Sequence, residues 1–262
     1  MVLDNRPASN TDYSKSEYWE SRYAQEKDEE FEWLGNYEAF REYLLPGLCS
    51  SKDSVLILGC GNSTLGPDMV IMDGFKDVTS IDISESIIRQ QKQKYKDFSS
   101  LKWSVMDITN LSLYEKEAFD VVIEKATLDA FIASERSPWS LSENTVRLIH
   151  KACSETSRVL KKGGLFLSLT FAQPHFRLPL YGKESYDWSL SFTKVSGLDS
   201  SLDFYLYRMV KGESLKSSVN YSSIAKFIHK GTEGLSNLRI TEVDNAASSS
   251  DEEEGFLGKF YC

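Results

Sequence analysis

From residue 55 to residue 171, short apolar runs alternate with stretches of helical period, the order that predicts βαβ units and a parallel sheet. The first run, 55–58, is Val-Leu-Ile-Leu and reads as a buried strand. Asn62 or Ser63 is placed to cap a helix reaching about Asp73, with Pro67 tolerable only in its first turn and Gly74 as the stop. Residues 78–82 form the second predicted strand, and Ser84 caps a helix that sets Ile87, Ile88, Gln91 and Tyr95 on one face. The third strand spans 101–105, and the fourth, 119–124, is apolar enough to be buried on both faces. Val146, Ile149, Ala152, Cys153 and 156–159 keep a 3.6-residue period that ends at Lys161, Lys162 and Gly163, residues suited to a helix C-terminus. A fifth strand follows at 165–171.

The pattern then changes. Residues 188–195 and 202–210 are two alternating runs joined by a short Ser/Gly/Asp segment, which predicts an antiparallel hairpin. Beyond them, 246–255 is an acidic, low-complexity stretch expected to be a solvated linker.

Composition narrows the class. At 41% hydrophobic and 26% charged, the chain of 262 residues suits one large α/β domain, and no apolar run approaches the ~20 residues of a membrane-spanning helix. The net charge of −9 disfavours broad binding of a phosphate backbone, so direct nucleic-acid binding is not expected. Cys49, Cys60, Cys153 and Cys262 are widely spaced, with no zinc-type pairing, and the polar first residues lack a secretory core; no metal and a cytoplasmic location are expected.

The candidate chemistry collects at strand ends. Gly59 and Gly61 follow the first strand, where missing side chains permit a tight turn and close approach of a ligand to the backbone. A dinucleotide fingerprint would want glycine at position 64, beside the helix that receives a pyrophosphate; Thr64 stands there, which favours the phosphate-free S-adenosylmethionine. Asp82, ending the second strand, can accept from both ribose hydroxyls of a nucleoside. Asp107, flanked by Met106 and Ile108 after the third strand, can accept from an adenine amine while its neighbours pack on the ring. Glu124 and Lys125 end the fourth strand, at the border between cofactor and acceptor. Glu124 and Asp129 are candidates to steer an acceptor amine, but neither is assigned as a catalytic base. Trp19 and Tyr23 share a helical face and Trp33 follows; from spacing alone these aromatics are packing residues or a lid. His175 is left without an assigned role.

Together these stretches resemble a known group, the methyltransferase-like proteins that include the lysine methyltransferases of eukaryotic translation elongation factor 1-alpha. The resemblance rests on Tyr18-Trp19 with Arg22-Tyr23, Leu58-Gly59-Cys60-Gly61-Asn62-Ser63, Phe119-Asp120-Val121-Val122, Glu124-Lys125, Thr127-Leu128-Asp129-Ala130 and Pro174-His175-Phe176-Arg177. It implies a three-layer, Rossmann-like α/β fold whose seven-stranded, mostly parallel sheet ends in an antiparallel hairpin. It further implies that Trp19, Tyr23 and Trp33 help enclose S-adenosylmethionine, that Gly59 lines its methionine end, that Asp82 with Ile83 contact ribose and adenine, that Asp107 with Ile108 contact adenine, and that Lys125 reaches the cofactor. The implied substrate is a lysine of elongation factor 1-alpha. The expected organisation is a flexible N-terminus (1–15), a methyltransferase domain with an aromatic lid segment (16–215) and a C-terminal extension (216–262). Methylation of a small molecule or of another protein site, and a cofactor-binding module without turnover, stand as alternatives; a nicotinamide oxidoreductase is disfavoured by Thr64 and the hairpin.

Overall fold

Successive residues of a strand point to opposite faces, so an uninterrupted apolar run requires cover on both sides. That is the situation of β1 (Ser54–Leu58): Val55 and Ile57 enter one buried cluster, Leu56 and Leu58 another. The computed structural model describes residues 7, 9–26, 30–195 and 203–217. In it, β1 is an interior strand of a seven-stranded sheet with β2 (Asp77–Asp82), β3 (Leu101–Val105), β4 (Phe119–Lys125), β5 (Leu160–Thr170), β6 (Ser191–Val195) and β7 (Phe204–Val210), in the order β3-β2-β1-β4-β5-β7-β6. Neighbours from β3 to β5 pair in parallel, and β7 runs antiparallel to both β5 and β6. This is the expected mostly parallel sheet with its closing hairpin.

The helices in chain order are α1 (Ser16–Gln25), α2 (Tyr37–Leu44), α3 (Leu65–Asp73), α4 (Glu85–Lys94), α5 (Thr127–Ile132), α6 (Glu143–Val159) and α7 (Pro174–Tyr181). One face of the sheet packs Phe40 of α2, Met69 of α3 and Ile87 of α4 against Val121, Ile123 and Leu167. The other packs Ile149 and Cys153 of α6 and Leu178 of α7 against Val122 and Phe166. Because β2 and β4 lie on either side of β1 and all three run the same way, their carboxyl ends open a crevice at the point where the chain order reverses, the place where open α/β sheets bind ligands.

Ser84 caps α4 as expected, accepting from the Ile87 amide at 3.3 Å, and Gly74 ends α3 in the left-handed region at φ 71°. Three sequence expectations change. The third helix starts at Leu65 with Thr64 in the N-cap position; Ser63 lies one residue earlier, its hydroxyl accepting from the Leu65 amide at 3.2 Å, and the acceptor for the Thr64 amide is Glu32, from a distant segment. Lys161 to Gly163 do not end α6, because Leu160 is drawn into β5 opposite Phe119 and is fully buried, while Lys161 pairs with Asp120 at 2.7 Å. Residues 10–14, within the expected flexible start, form a 3₁₀ turn closed by a capping box between Ser9 and Asp12, and its Tyr13 is buried. The extension from 218 onward, with its acidic stretch, lies outside the described residues.

Candidate active site

The turn after β1 is held by its surroundings as much as by its own sequence. Gly59 and Gly61 have φ of 62° and 50°, the region that favours glycine. A Cβ on Gly59 would lie 2.4 Å from Thr127 Cγ2, and one on Gly61 would lie 2.6 Å from the Tyr23 hydroxyl, so both approaches exclude a side chain. The Cys60 amide donates to the Ile81 carbonyl at 2.9 Å, Gln91 Nε2 donates to the Gly61 carbonyl at 3.1 Å, and the Gly61 amide donates to Asp82 Oδ2 at 2.9 Å.

Asp82 therefore lies directly beneath the turn. Its second oxygen accepts from the Ser84 amide at 3.0 Å. Burial raises its pKa against the lowering effect of these backbone donors. Each oxygen has a lone pair beyond the one engaged by an amide, which suits a pair of vicinal hydroxyls. Next to it, Ile83 is 46% exposed, a large apolar side chain lining the crevice with no protein partner across much of its surface. Met106 and Ile108 are buried, and Asp107, exposed between them, takes the Thr109 amide on one oxygen at 2.7 Å.

Across the crevice lies α1. Trp19 and Tyr23 stack with centroids 5.8 Å apart, and Trp19 Nε1 donates to the Tyr13 carbonyl at 2.7 Å. Trp33 meets Tyr13 and Trp19 edge-on at 5.7 and 6.0 Å. The Arg22 guanidinium, paired with Glu26 at 2.8 Å, lies 5.2 to 5.8 Å from the rings of Phe31, Trp33 and Trp19. The helix is fastened to α4 by Glu20, whose carboxylate accepts from the hydroxyls of Ser84 and Ser86, both at 2.5 Å. The periodicity that suggests packing and the lid implied by resemblance thus coincide: the same rings pack on one another and line the crevice.

All ten residues singled out for cofactor binding, Trp19, Tyr23, Trp33, Gly59, Gly61, Asp82, Ile83, Asp107, Ile108 and Lys125, line one cavity of about 300 Å³. Among them, Lys125 has its charge already engaged. Its ammonium is paired with Glu32 at 2.6 Å and donates to the carbonyls of Trp33 and Gly35 at 2.8 and 3.2 Å. Burial pulls its pKa down, against the pull of Glu32. His175 is not part of the lining; it stacks on Trp139 with centroids 5.0 Å apart.

Glu124 lies behind the cavity wall. It accepts from the Ser168 hydroxyl and from the amides of Thr127 and Leu128 at 3.0 and 3.3 Å, capping α5. Asp129 does line the cavity, but its oxygens already accept from the Thr170 hydroxyl at 2.8 Å and from Arg177, which is itself buried. Burial first, then the charge of Asp129, pushes the Glu124 carboxyl up to about 7 from 4.5. The folded protein therefore holds a proton there that the unfolded chain releases in that window, so stability falls as pH rises from 4.5 toward 7. The Glu124→Gln variant is expected to flatten this decline in urea titrations at about pH 5 and about pH 7.5. An unchanged decline would mean that another group titrates.

Sequence reasoning missed Tyr13, Glu20, Glu32 and the positioning role of Thr127, whose hydroxyl donates to the Leu58 carbonyl at 2.8 Å. No periodicity marks Glu32, which sits on an irregular segment; its only signal is adjacency to Trp33.

Residues 50–211 match the family model of methyltransferase domains, a span that contains the glycine turn, Asp82, Asp107 and Lys125. The chain belongs to the S-adenosylmethionine-dependent methyltransferases, in the family of the elongation-factor lysine methyltransferases. It is 41% identical to mouse (Mus musculus) EEF1A lysine methyltransferase 4 over 213 residues, covering 81% of each chain. It is 35% identical over 177 residues to mouse eEF1A lysine and N-terminal methyltransferase, covering 64% of this chain but 23% of that longer one. Among solved structures, the N-methyltransferase NodS of Bradyrhizobium japonicum in complex with S-adenosyl-L-homocysteine shares the fold, with a TM-score of 0.52, 20% identity, and 74% and 99% of the two chains covered.

Proposed function

We propose that this protein is a protein-lysine N-methyltransferase acting on translation elongation factor 1-alpha in the cytoplasm. The observation that carries the reading is the 41% identity to EEF1A lysine methyltransferase 4 along 81% of both chains. No described helix is long and apolar enough to cross a membrane, which suits a protein that meets its substrate in solution.

S-adenosylmethionine supplies a methyl group on a sulfonium, and the transfer is an in-line displacement by a neutral amine. Gly59 and Gly61 leave room for the cofactor against the backbone, Asp82 would accept from its ribose hydroxyls, and Ile83, Met106, Asp107 and Ile108 would hold its adenine. The aromatic rings of Tyr13, Trp19, Tyr23 and Trp33 exclude water from one side. A lysine, with a reference pKa of about 10.4, must shed a proton before it attacks. Asp129 and Glu124 already accept hydrogen bonds from Arg177, Thr170, Ser168 and α5 amides, so this reading gives them the task of shaping the floor of the acceptor site. Alignment and desolvation then carry the rate.

Radiolabelled S-adenosylmethionine, incubated with the full chain and purified elongation factor 1-alpha, is expected to label a lysine of that factor, read by mass spectrometry of the labelled band. Label only on a metabolite or another protein would favour the alternative acceptor and defeat this assignment. Cofactor binding without any label would identify a binding module.

A further inference from the structure

Glu32 lies outside the cavity lining, on the irregular segment between α1 and α2, yet three donors converge on its carboxylate: the Ser63 hydroxyl, the Thr64 amide and the Lys125 ammonium. The Thr64 amide donates to Oε1 at 2.6 Å, while the Thr64 hydroxyl, 3.0 Å from that oxygen, gives its one proton to Asp68 Oδ2 at 2.6 Å. The Ser63 hydroxyl reaches both oxygens, the nearer at 2.8 Å, and the Lys125 ammonium reaches Oε2 at 2.6 Å. Thr64 is the N-cap of α3, and its side chain caps no backbone amide of its own helix. A helix start of this kind carries unsatisfied amides and a partial positive charge, and in dinucleotide-binding units it receives the pyrophosphate. Here the protein's own carboxylate takes that place.

The other end of the arrangement holds strained backbone. Leu34 has φ 67°, unusual for a residue with a side chain, and Gly35 has φ 129°. Lys125 donates to the carbonyls of the two residues flanking Leu34, Trp33 and Gly35, while it is paired with Glu32. Backbone in this region persists where surrounding contacts over-determine it. Trp33, between Glu32 and Leu34, lines the cavity.

We propose that Glu32 is a positioning residue for cofactor binding: its carboxylate bridges the start of α3 to Lys125 and so holds Trp33 and segment 30–36 over the cavity. The proposal rests on that cavity being the S-adenosylmethionine site. Glu32 touches neither the cavity nor the reacting atoms, so its contribution is the preorganisation of the lid, which lowers the ordering cost of binding and leaves the transfer step itself unchanged.

Calorimetric titration of S-adenosylhomocysteine into the full chain tests this. The Glu32→Gln variant keeps the shape and removes the charge; it is expected to bind about tenfold more weakly, the scale of one charge-assisted hydrogen bond. Glu32→Asp should lie closer to the wild type. In steady-state assays the cofactor KM should rise while kcat at saturating cofactor and the acceptor KM stay within about twofold, a split that general loss of structure would not give. Limited proteolysis of the cofactor-free variant should cut faster within segment 30–36 than that of the wild type. If Glu32→Gln does not fold, Glu32→Asp carries the test: it keeps the charge, shortens the reach to the start of α3 and to Lys125, and should weaken binding about threefold. Unchanged affinity in a folded variant, or a parallel fall of kcat with cofactor affinity, overturns the positioning role alone; a wild-type chain that binds no S-adenosylhomocysteine overturns the cofactor reading and this role with it.

Discussion

Replacing Asp82 with alanine is expected to weaken S-adenosylmethionine binding by at least about a hundredfold. A carboxylate that accepts two hydroxyls makes two charge-assisted hydrogen bonds, each contributing about 1.5–3 kcal/mol, and a hundredfold corresponds to about 2.7 kcal/mol. The site amplifies the loss, because Asp82 also holds the Gly61 and Ser84 amides at 2.9 and 3.0 Å, so the glycine turn and the start of α4 lose a common acceptor. The Asp82→Asn variant separates the two contributions, since its remaining carbonyl oxygen can accept from one amide. Calorimetry with S-adenosylhomocysteine gives the affinity directly. An Asp82→Ala protein that folds and binds within about fivefold of the wild type would remove Asp82 from the cofactor site.

The largest effect on stability is expected at Arg177. This guanidinium is 1% exposed, pairs with an Asp129 carboxylate that is 5% exposed, and stands near Glu124 in the same buried network. Replacing it with methionine leaves Asp129 charged, buried and held by Thr170 without a counterion, which costs about 3–5 kcal/mol. For a domain of this size, that corresponds to a Tm lower by about 10 °C. The double variant Asp129→Leu with Arg177→Met should regain much of the loss, because an apolar pair removes both desolvated charges. Urea unfolding of the three variants decides the matter: a single-variant loss below about 1 kcal/mol would show that the pair does not carry the charge balance of this core.

Much of the fold was legible because the governing signals are local. Four apolar runs at 55–58, 78–82, 101–105 and 119–124 became the parallel strands β1 to β4 almost residue for residue, and the change to two alternating runs near 188 and 202 marked the hairpin. What escaped was decided by distant partners. The start of α3 depends on Glu32, some thirty residues upstream, and the end of α6 on the pairing of Leu160 with Phe119. The short helices α2, α5 and α7 span eight residues or fewer, too little for periodicity to register. At the site, the residues with a strand-end address, Gly59, Gly61, Asp82, Asp107 and Lys125, could be placed by reading. The aromatics that line the cavity needed the family resemblance, because a ring that lines a cavity and a ring that packs a core have the same spacing. Glu124, placed by its sequence position at the acceptor border, proved to cap α5 from behind the wall.

The clamp of Glu20 on Ser84 and Ser86, with that of Glu32 on Ser63 and Thr64, bears on where the cooperative unit begins. The family match starts at residue 50, which invites shortening the chain there. Such a shortened chain would contain every strand and lose two carboxylates that complete the first turns of α3 and α4, the two helices facing the crevice. Residues 9–26 and 30–49 supply acceptors that the first turns of α3 and α4 use, so a chain cut at residue 50 is expected to unfold at lower urea than the full chain.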